Sequence, residues 1–325
     1  MEYKCFDSRN EYEKYFFDES DNGSAKTTMY HCSSRPMFNT VEFAVWNMGV
    51  NIPQCENLIV YDLGMCWRAL KSESTLTDVV VTVYANNYIY FNCESRDICL
   101  NVATYYSTKL QKLDLWGRIV EIRDYCCREL NKLREVHLSP NCMIIGEEAF
   151  YRCNKLVKVN FDELYNLIEI KKGAFQGTYI NELLLPSCKK IGEDAFKGVR
   201  GLSRVYLPDG LEFAGDGCFM DCNSLTEIRI PSTLKELPTQ FLNCGIFKEI
   251  EIPDGVRKIK RDCITGVKVR KLTIPKSVKL AMRYCLRNSS IEELYIPSDL
   301  YQDIFAEYGD VREYIGIREG EIIRY

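Results

Sequence analysis

The amino-acid sequence predicts an elongated solenoid of the α/β class, in which each turn contributes one strand to a parallel β-sheet. The first observation is a pattern of apolar residues at positions one, four and six that recurs nine times at intervals of 22–24 residues. The second is a proline directly after the strand in every unit from the fourth onward. The third is another apolar cluster later in the unit. Such fixed-period self-similarity indicates stacked units that share one continuous core.

The repeated pattern predicts nine strands, each with one buried face. Apolar and polar residues alternate at the end of each strand, as at Val205 and Leu207, which is the period of a half-buried strand. The pattern begins at Leu110, Leu133, Leu156, Ile180, Leu202, Leu225, Phe247, Val269 and Ile291. Because proline cannot donate to a ladder, strands are expected to end at Pro186, Pro208, Pro231, Pro253, Pro275 and Pro297.

The second apolar cluster predicts the opposite wall of the core. In the second unit it consists of Ile145 followed by Ala149 and Phe150. The slot that Ala149 fills is occupied elsewhere by Cys126, Cys218, Cys263 and Cys285. These cysteines are therefore expected to be reduced, buried thiols, with redox sensing through Cys126 and Cys127 as the alternative. No CxxC pair or Cys/His zinc spacing occurs in the sequence, so no structural zinc is expected.

Three segments carry a resemblance to a known family, namely SPNCMIIGEEAFYRCNKL at 139–156, LPSCKKIGEDAFKGVRGL at 185–202 and IPSTLKELPTQFLNCGIF at 230–247. They resemble the BspA-type leucine-rich repeat, in which a strand is followed by Pro-Ser or Pro-Asp, Ile-Gly, Ala-Phe and a cysteine. The match covers about residues 110–297. The resemblance implies a leucine-rich-repeat solenoid, a curved right-handed superhelix used for protein recognition without intrinsic catalysis. Many members of the family are surface or secreted adhesins.

Three regions are predicted along the chain. Residues 110–297 form the solenoid of nine repeats. Residues 1–109 do not keep the period and form an irregular N-terminal cap region, either a mixed α/β unit or a set of degenerate repeats. Within this region, Ser8 and Glu11 make a capping box before a short helix. Residues 298–325 lack the repeat and are expected to form a short C-terminal cap, a helix followed by an extended segment.

Composition and charge argue against several classes of protein. The chain has 46% hydrophobic residues and a net charge of −4, which is unlike a disordered chain or a nucleic-acid coat. No apolar run is long enough to span a bilayer, and the charged start lacks a signal core. A cytoplasmic location is therefore expected, with a surface or virion-associated role left open. The sequence has two histidines, His31 and His137, and no Walker, GxSxG or HExxH motif, so we expect no catalytic site, cofactor or metal.

The third position of each strand predicts a charge ladder. Outward-facing residues of a parallel array stack into columns, and opposite charges in neighbouring strands attract. This column reads Lys112, Glu135, Lys158, Glu182, Arg204, Glu227, Glu249, Lys271 and Glu293. The charge changes sign at every step except between Glu227 and Glu249, whose repulsion Arg229 is expected to relieve.

The fifth strand position does not alternate in charge and is the predicted partner-binding site. It mixes aromatic, apolar and charged side chains at the centre of the concave face, the composition of protein-interface anchors. The predicted anchors are His137, Leu184, Tyr206, Arg229 and Tyr295, with Trp116 as an extension at the N-terminal end. The expected partner is a protein.

A basic stretch supplies a competing hypothesis. Residues 247–290 contain 12 basic and 4 acidic side chains. The predicted patch consists of Arg257, Lys258, Lys260, Arg261, Arg270 and Lys271. Such a patch attracts phosphate, another anionic ligand or nucleic acid, although nucleic acid is the less favoured partner. A solvated face, or docking of the acidic C-terminal segment, is the plainer interpretation.

Overall fold

The computed structural model describes residues 40–44, 50–51, 55–62, 77–82, 85–103, 110–243, 245–317 and 319–325, with side-chain detail from residue 110 onward. The capping box at Ser8 lies outside the described residues. In chain order the strands are β1 (Thr40–Ala44), β2 (Val50–Asn51), β3 (Cys55–Asp62), β4 (Thr77–Thr82), β5 (Ala85–Ala103), β6 (Lys112–Ile122), β7 (Glu135–His137), β8 (Ile144–Ile145), β9 (Lys158–Val159), β10 (Glu169–Ile170), β11 (Glu182–Leu184), β12 (Lys190–Ile191), β13 (Arg204–Tyr206), β14 (Phe213–Ala214), β15 (Glu227–Arg229), β16 (Glu236–Leu237), β17 (Leu242–Asn243), β18 (Ile246–Glu251), β19 (Lys258–Ile259), β20 (Ile264–Thr265), β21 (Lys268–Thr273), β22 (Leu280–Ala281), β23 (Ser290–Ile296) and β24 (Glu319–Arg324). The helices are a 3-10 turn (Phe161–Glu163), α1 (Ser298–Tyr308) and α2 (Val311–Ile315).

Successive turns of the solenoid are joined by three parallel ladders of backbone hydrogen bonds. The long-strand ladder contains β6, β7, β9, β11, β13, β15, β18, β21 and β23, which lie at the nine predicted places. The short-strand ladder contains β8, β10, β12, β14, β16, β19 and β22. The third, which we name the turn ladder, links residues such as Phe150 to Ala174 and Phe175 to Ala195. The predicted solenoid with one main strand per repeat is confirmed.

The strand ladders are interrupted, whereas the sequence pattern predicts an unbroken sheet. Long strands do not pair between β9 and β11, where the 3-10 turn is inserted, or between β15 and β18. Short strands do not pair between β14 and β16. There Pro238 occupies the position at which Gly192, Gly215 and Lys260 donate an N–H to the preceding turn, and proline has no N–H to donate. The three interruptions fall at three different junctions between turns.

Strands of the N-terminal region share a sheet with the first repeat. Strand β5 pairs in parallel with both β3 and β6, and β1 pairs in parallel with β3. A parallel arrangement continuous with β6 is what additional turns would form. The boundary at residue 109 stays a prediction.

The core contains a column of stacked phenylalanines. The stack consists of the rings of Phe150, Phe175, Phe196 and Phe219. The distances between successive ring centroids are 5.2, 5.4 and 5.6 Å, and the ring planes are nearly parallel. All four are fully buried, as are the small residues Ala149, Ala174 and Ala195 that precede three of them. The Ala-Phe dipeptide therefore places one large and one small side chain at a fixed height in three consecutive turns, and Cys218 is the small residue before Phe219 in the next. The rings stack because the turns are in register.

The glycine of the Ile-Gly motif lies against the backbone of the preceding turn. A Cβ atom added to Gly192 would lie 2.5 Å from the Lys172 nitrogen, and one added to Gly215 would lie 2.3 Å from the Glu193 nitrogen. Such distances are too short for any side chain. Glycine is thus required there by the close approach of two backbones.

The C-terminal cap extends two of the three ladders. Strand β24 pairs in parallel with β23, and α2 accepts hydrogen bonds from Tyr284 and Leu286 of the last turn through the Tyr314 and Ile315 carbonyls. Leu300 and Ile304 of α1 are buried against the end of the core. The expected helix and extended segment are both present, together with the additional helix α2.

We expect replacement of Phe196 by Ala to lower the free energy of unfolding by about 3–5 kcal/mol, because it removes one ring from the buried stack and leaves a cavity. Phe213→Ala is the control, since that ring is 53% exposed and its loss should change the free energy by about 0.5 kcal/mol or less. Urea denaturation followed by circular dichroism measures both. Equal losses in the two variants would contradict the packing described.

Gly192→Ala should destabilise the fold by about 1–3 kcal/mol, because the new methyl group overlaps the neighbouring turn. Gly210→Ala is its control, since no atom lies within 4 Å of a Cβ added there. Thermal unfolding of the two variants tests the expectation. A Gly192 variant as stable as the Gly210 variant would show that the turns do not approach so closely.

Candidate functional site

The outward face of the long strands, which we name the long-strand face, carries paired charges at the third strand position. Lys158 Nζ lies 2.8 Å from Glu135 Oε1, and Lys271 Nζ lies 3.0 Å from Glu249 Oε1. Arg204 forms an ion pair with Glu182. Each pair joins neighbouring turns in the register of the strands. The predicted charge ladder is confirmed for these three pairs.

The prediction that Arg229 relieves the repulsion at Glu227 is wrong. Arg229 Nη2 lies 3.0 Å from Asp209 Oδ1, in the loop after the preceding strand. Glu227 instead accepts a hydrogen bond from the Tyr206 hydroxyl, a bond that raises the pKa of Tyr206. Tyr206 is one strand away from Glu227 and reaches it diagonally, which a comparison of charged residues alone does not reveal.

The N-terminal half of this face contains an aromatic and carboxylate cluster. The Trp116 and His137 rings are stacked, with centroids 4.1 Å apart and planes 17° apart. His137 Nε2 lies 3.0 Å from Glu163 Oε2, and Asn160 Nδ2 donates to the same oxygen at 2.9 Å. The Asn160 hydrogen bond, and after it the His137 bond, lower the pKa of Glu163. The cluster therefore holds a charged carboxylate against the imidazole that stacks on the partly exposed Trp116 indole.

Asn160 also extends the pairing of β7 with β9, on the side of β9 away from the interruption of the long-strand ladder. Its amide oxygen accepts from the Leu138 N–H at 2.7 Å, and its amide nitrogen donates to the Leu138 carbonyl at 3.0 Å. The side chain thereby takes the place of a strand neighbour. The sequence missed the role of Glu163, although the 24-residue spacing of this unit signals an insertion at that point.

The remaining predicted anchors lie at two other places. Leu184 and Tyr206 are register partners in adjacent strands, and Tyr206 is in turn the partner of Arg229. The Leu184 side chain is 36% exposed. Tyr295 lies farther along the face, where its hydroxyl is 3.3 Å from Glu293 Oε2 and its ring is covered by Lys271. The structure thus brings Trp116 together with His137, and Leu184 with Tyr206 and Arg229, but places Tyr295 apart.

The six residues of the predicted basic patch do not lie on one face. Arg257 and Lys258 belong to the short-strand ladder. Arg270 and Lys271 belong to the long-strand ladder, and Lys260 and Arg261 lie in the turn after β19. Acidic partners of four of them are Glu236 for Lys258 (3.8 Å), Asp216 for Lys260 (3.6 Å), Asp262 for Arg261 (3.4 Å) and Glu249 for Lys271 (3.0 Å). Residues close in sequence are separated around the turn, so the count of charges overstates the local potential.

Six copies of the BspA type leucine rich repeat model match the chain, over residues 83–180, 168–292 and 238–309. The chain belongs to the BspA-type leucine-rich-repeat family. No curated protein sequence matches it.

Several solved structures are similar to this BspA-type chain. A leucine-rich repeat protein of T. pallidum is 18% identical, with a TM-score of 0.39, over 64% of this chain and 86% of its own. A leucine-rich cell surface protein of Faecalibacterium prausnitzii is 16% identical, with a TM-score of 0.31, over 88% of this chain and 92% of its own. The pneumococcal vaccine antigen PcpA is 14% identical, with a TM-score of 0.33, over 87% and 83%.

The cysteines of the BspA-type repeats are packing residues. Among the residues described with side chains nine cysteines are buried, and none of these nine forms a disulfide. Burial raises the pKa to about 12 for the thiols of Cys142, Cys153, Cys188, Cys222 and Cys285. The Cys126 and Cys127 sulfurs are 3.7 Å apart and are buried as well. The expectation that these thiols are buried is confirmed, and their reduced state stays a prediction.

Within the part of the chain that the structure describes, no group of three or more His, Cys, Asp or Glu side chains is arranged to hold a metal ion. The same part contains no helix with the length and apolar character needed to cross a membrane.

We expect Cys142, Cys188 and Cys222 to stay unlabelled by iodoacetamide in the native protein at pH 8, because a thiol with a pKa near 12 is almost entirely protonated there and is also shielded. After unfolding in urea the same cysteines should react fully. Peptide mapping by mass spectrometry resolves each position. Rapid labelling of the native protein would show that these thiols are accessible and would revive a redox role.

Proposed function

We propose that the chain is a non-catalytic recognition scaffold that binds a protein partner on the long-strand face. BspA-type repeats and their solenoid are consistent with a protein-interaction or surface-scaffold role. The proposed anchors are Trp116, His137, Leu184, Tyr206 and Arg229, with Tyr295 at the periphery. The buried thiols also support our proposal that the protein works in a reducing compartment such as the cytoplasm.

The observation that carries this proposal is the exposure of large apolar side chains at outward positions. Trp116 is 39% exposed and Leu184 is 36% exposed. Both occupy outward positions of their strands, where the solenoid core does not cover them. Burial of such side chains is favourable by about 25 cal/mol per Å² of apolar surface. Binding of a protein partner to this face would bury them. The neighbouring ion pairs form a polar surround of the kind found at interface rims.

The polar groups of the cluster suit recognition better than chemistry. Glu163 is held by two hydrogen bonds and kept charged by them. A fixed carboxylate against the His137 ring, which itself stacks on Trp116, offers an acceptor for an Arg, Lys or backbone donor of a partner. Arg229, two strands from Leu184 and paired with Asp209, adds a guanidinium to the same face.

Capture from a lysate of source cells in moderate salt, followed by mass spectrometry, should return a protein in stoichiometric amount. Trp116→Ala with Leu184→Ala should then weaken binding of that protein by about tenfold or more, as expected for central anchors. The matched control is Tyr125→Ala with Phe213→Ala, which removes side chains that are 50% and 53% exposed on the turn ladder and the short-strand ladder. Isothermal titration calorimetry measures the affinity of the unaltered chain and of the two double variants for the captured protein.

Loss of affinity in the control variant together with retention in the anchor variant would reject the long-strand face. Failure to capture any protein would place the partner outside the source cell, as for an adhesin, and would count against the proposed compartment.

A further inference from the structure

Three cations are stacked on the outer side of the short-strand ladder and form what we name the basic column, consisting of Lys235, Arg257 and Lys279. The Arg257 N–H donates to the Lys235 carbonyl at 2.8 Å, and the Lys279 N–H donates to the Arg257 carbonyl at 2.8 Å. All three side chains are exposed. They therefore occupy equivalent positions in three consecutive turns.

The basic column lacks the compensation seen on the long-strand face. Among the described residues no carboxylate lies within 4.0 Å of any of the three, whereas the neighbouring Lys258 pairs with Glu236. Parallel strands are about 4.8 Å apart, and like charges at that spacing repel. A solenoid that alternates its charges on one side and stacks three cations on another has a surface suited to an anionic partner.

The column ends at a strand edge that the C-terminal cap closes in part, because the Tyr314 hydroxyl of α2 donates to the Ala281 carbonyl of β22 at 3.2 Å. In the paired turns the carbonyl of each column residue accepts two N–H groups, as the Arg257 carbonyl does from Lys279 and Leu280. The Lys279 carbonyl accepts none from the described residues. The reason is the C-terminal cap, which continues the long-strand ladder through β24 and the turn ladder through α2 but adds no short strand after β22.

A cavity of about 420 Å³ lies beside Lys279, next to this edge. Lys276, Val278 and Lys279 line one wall, and residues of α1, among them Asp299 and Asp303, line the other. The amino-terminal end of a helix favours negative charge, and Asp299 offsets part of that preference. The cavity thus combines an unused backbone acceptor, two lysines, two aspartates and a helix start, and the excess positive charge is supplied by the basic column beside it.

We propose that an extended segment of an acidic partner protein adds to the edge of β22 as a further parallel strand. Its backbone N–H groups donate to the Lys279 carbonyl, as in other cases of strand addition, and one of its carboxylates extends the basic column in register with Lys279. A carboxylate at this place alternates with the lysine as the charges do in the long-strand ladder. The site is separate from the long-strand face, so each proposal stands or falls independently.

Fluorescence anisotropy with the full-length chain tests the proposal. The probe is a labelled peptide of alternating Glu and Val, and its counterpart with Lys in place of Glu is the charge control. The acidic peptide should bind and the basic peptide should not. Arg257→Glu with Lys279→Glu should weaken binding by about tenfold or more. Lys132→Glu with Lys155→Glu, exposed lysines outside the short strands, should change it by about twofold or less.

A second peptide separates strand addition from simple charge attraction. N-methylation of every backbone nitrogen keeps the carboxylates but removes all N–H donors, so the methylated peptide should not bind. Equal binding of both acidic peptides, or binding of neither, would overturn the proposal. A dT12 oligonucleotide that binds more tightly, with the same sensitivity to the double variant, would assign the column to nucleic acid instead. A dimer in sedimentation velocity that the double variant abolishes would assign the edge to a second copy.

Discussion

The register of the parallel ladders is the constraint on which the rest of this structure depends. Each turn lies at a fixed height above the last, so an inward side chain meets the residue at the same position one repeat away. The phenylalanine stack, the small Ala and Cys slots beside it and the glycines pressed against the preceding backbone all follow from that requirement. The stability of each repeat therefore depends on its fit to the neighbouring turns and not on contacts within the repeat alone.

Outward positions are free of that constraint, and this is where the turns differ from one another. On the long-strand face most charged side chains pair with a neighbour of opposite charge. The uncharged outward residues are the aromatic and apolar side chains around Trp116 and Leu184. On the short-strand side the basic column is left uncompensated. The two surfaces present different chemistry to the solvent although they are built from the same repeats.

The sequence predicts those features that recur with the period, and it fails where the period is broken. The nine long strands and the cysteine slots follow from spacing alone. Glu163 was missed because it enters through an insertion, and the Arg229 partner was misassigned because Asp209 lies in a loop outside the strand columns. The residues of the predicted basic patch lie on different sides of the solenoid, because a turn of 22 residues passes around every side of it. The Trp116–His137 stack required coordinates, since ring orientation is not encoded in the column order.

The three interruptions of the strand ladders are staggered along the axis. The breaks after β9, β14 and β15 belong to different pairs of turns, and at each of these three junctions the other two ladders continue. Tension applied along the axis is therefore carried by two rows of hydrogen bonds at each of them. A partner that pulls on one end of the solenoid loads the turns on both sides of every break.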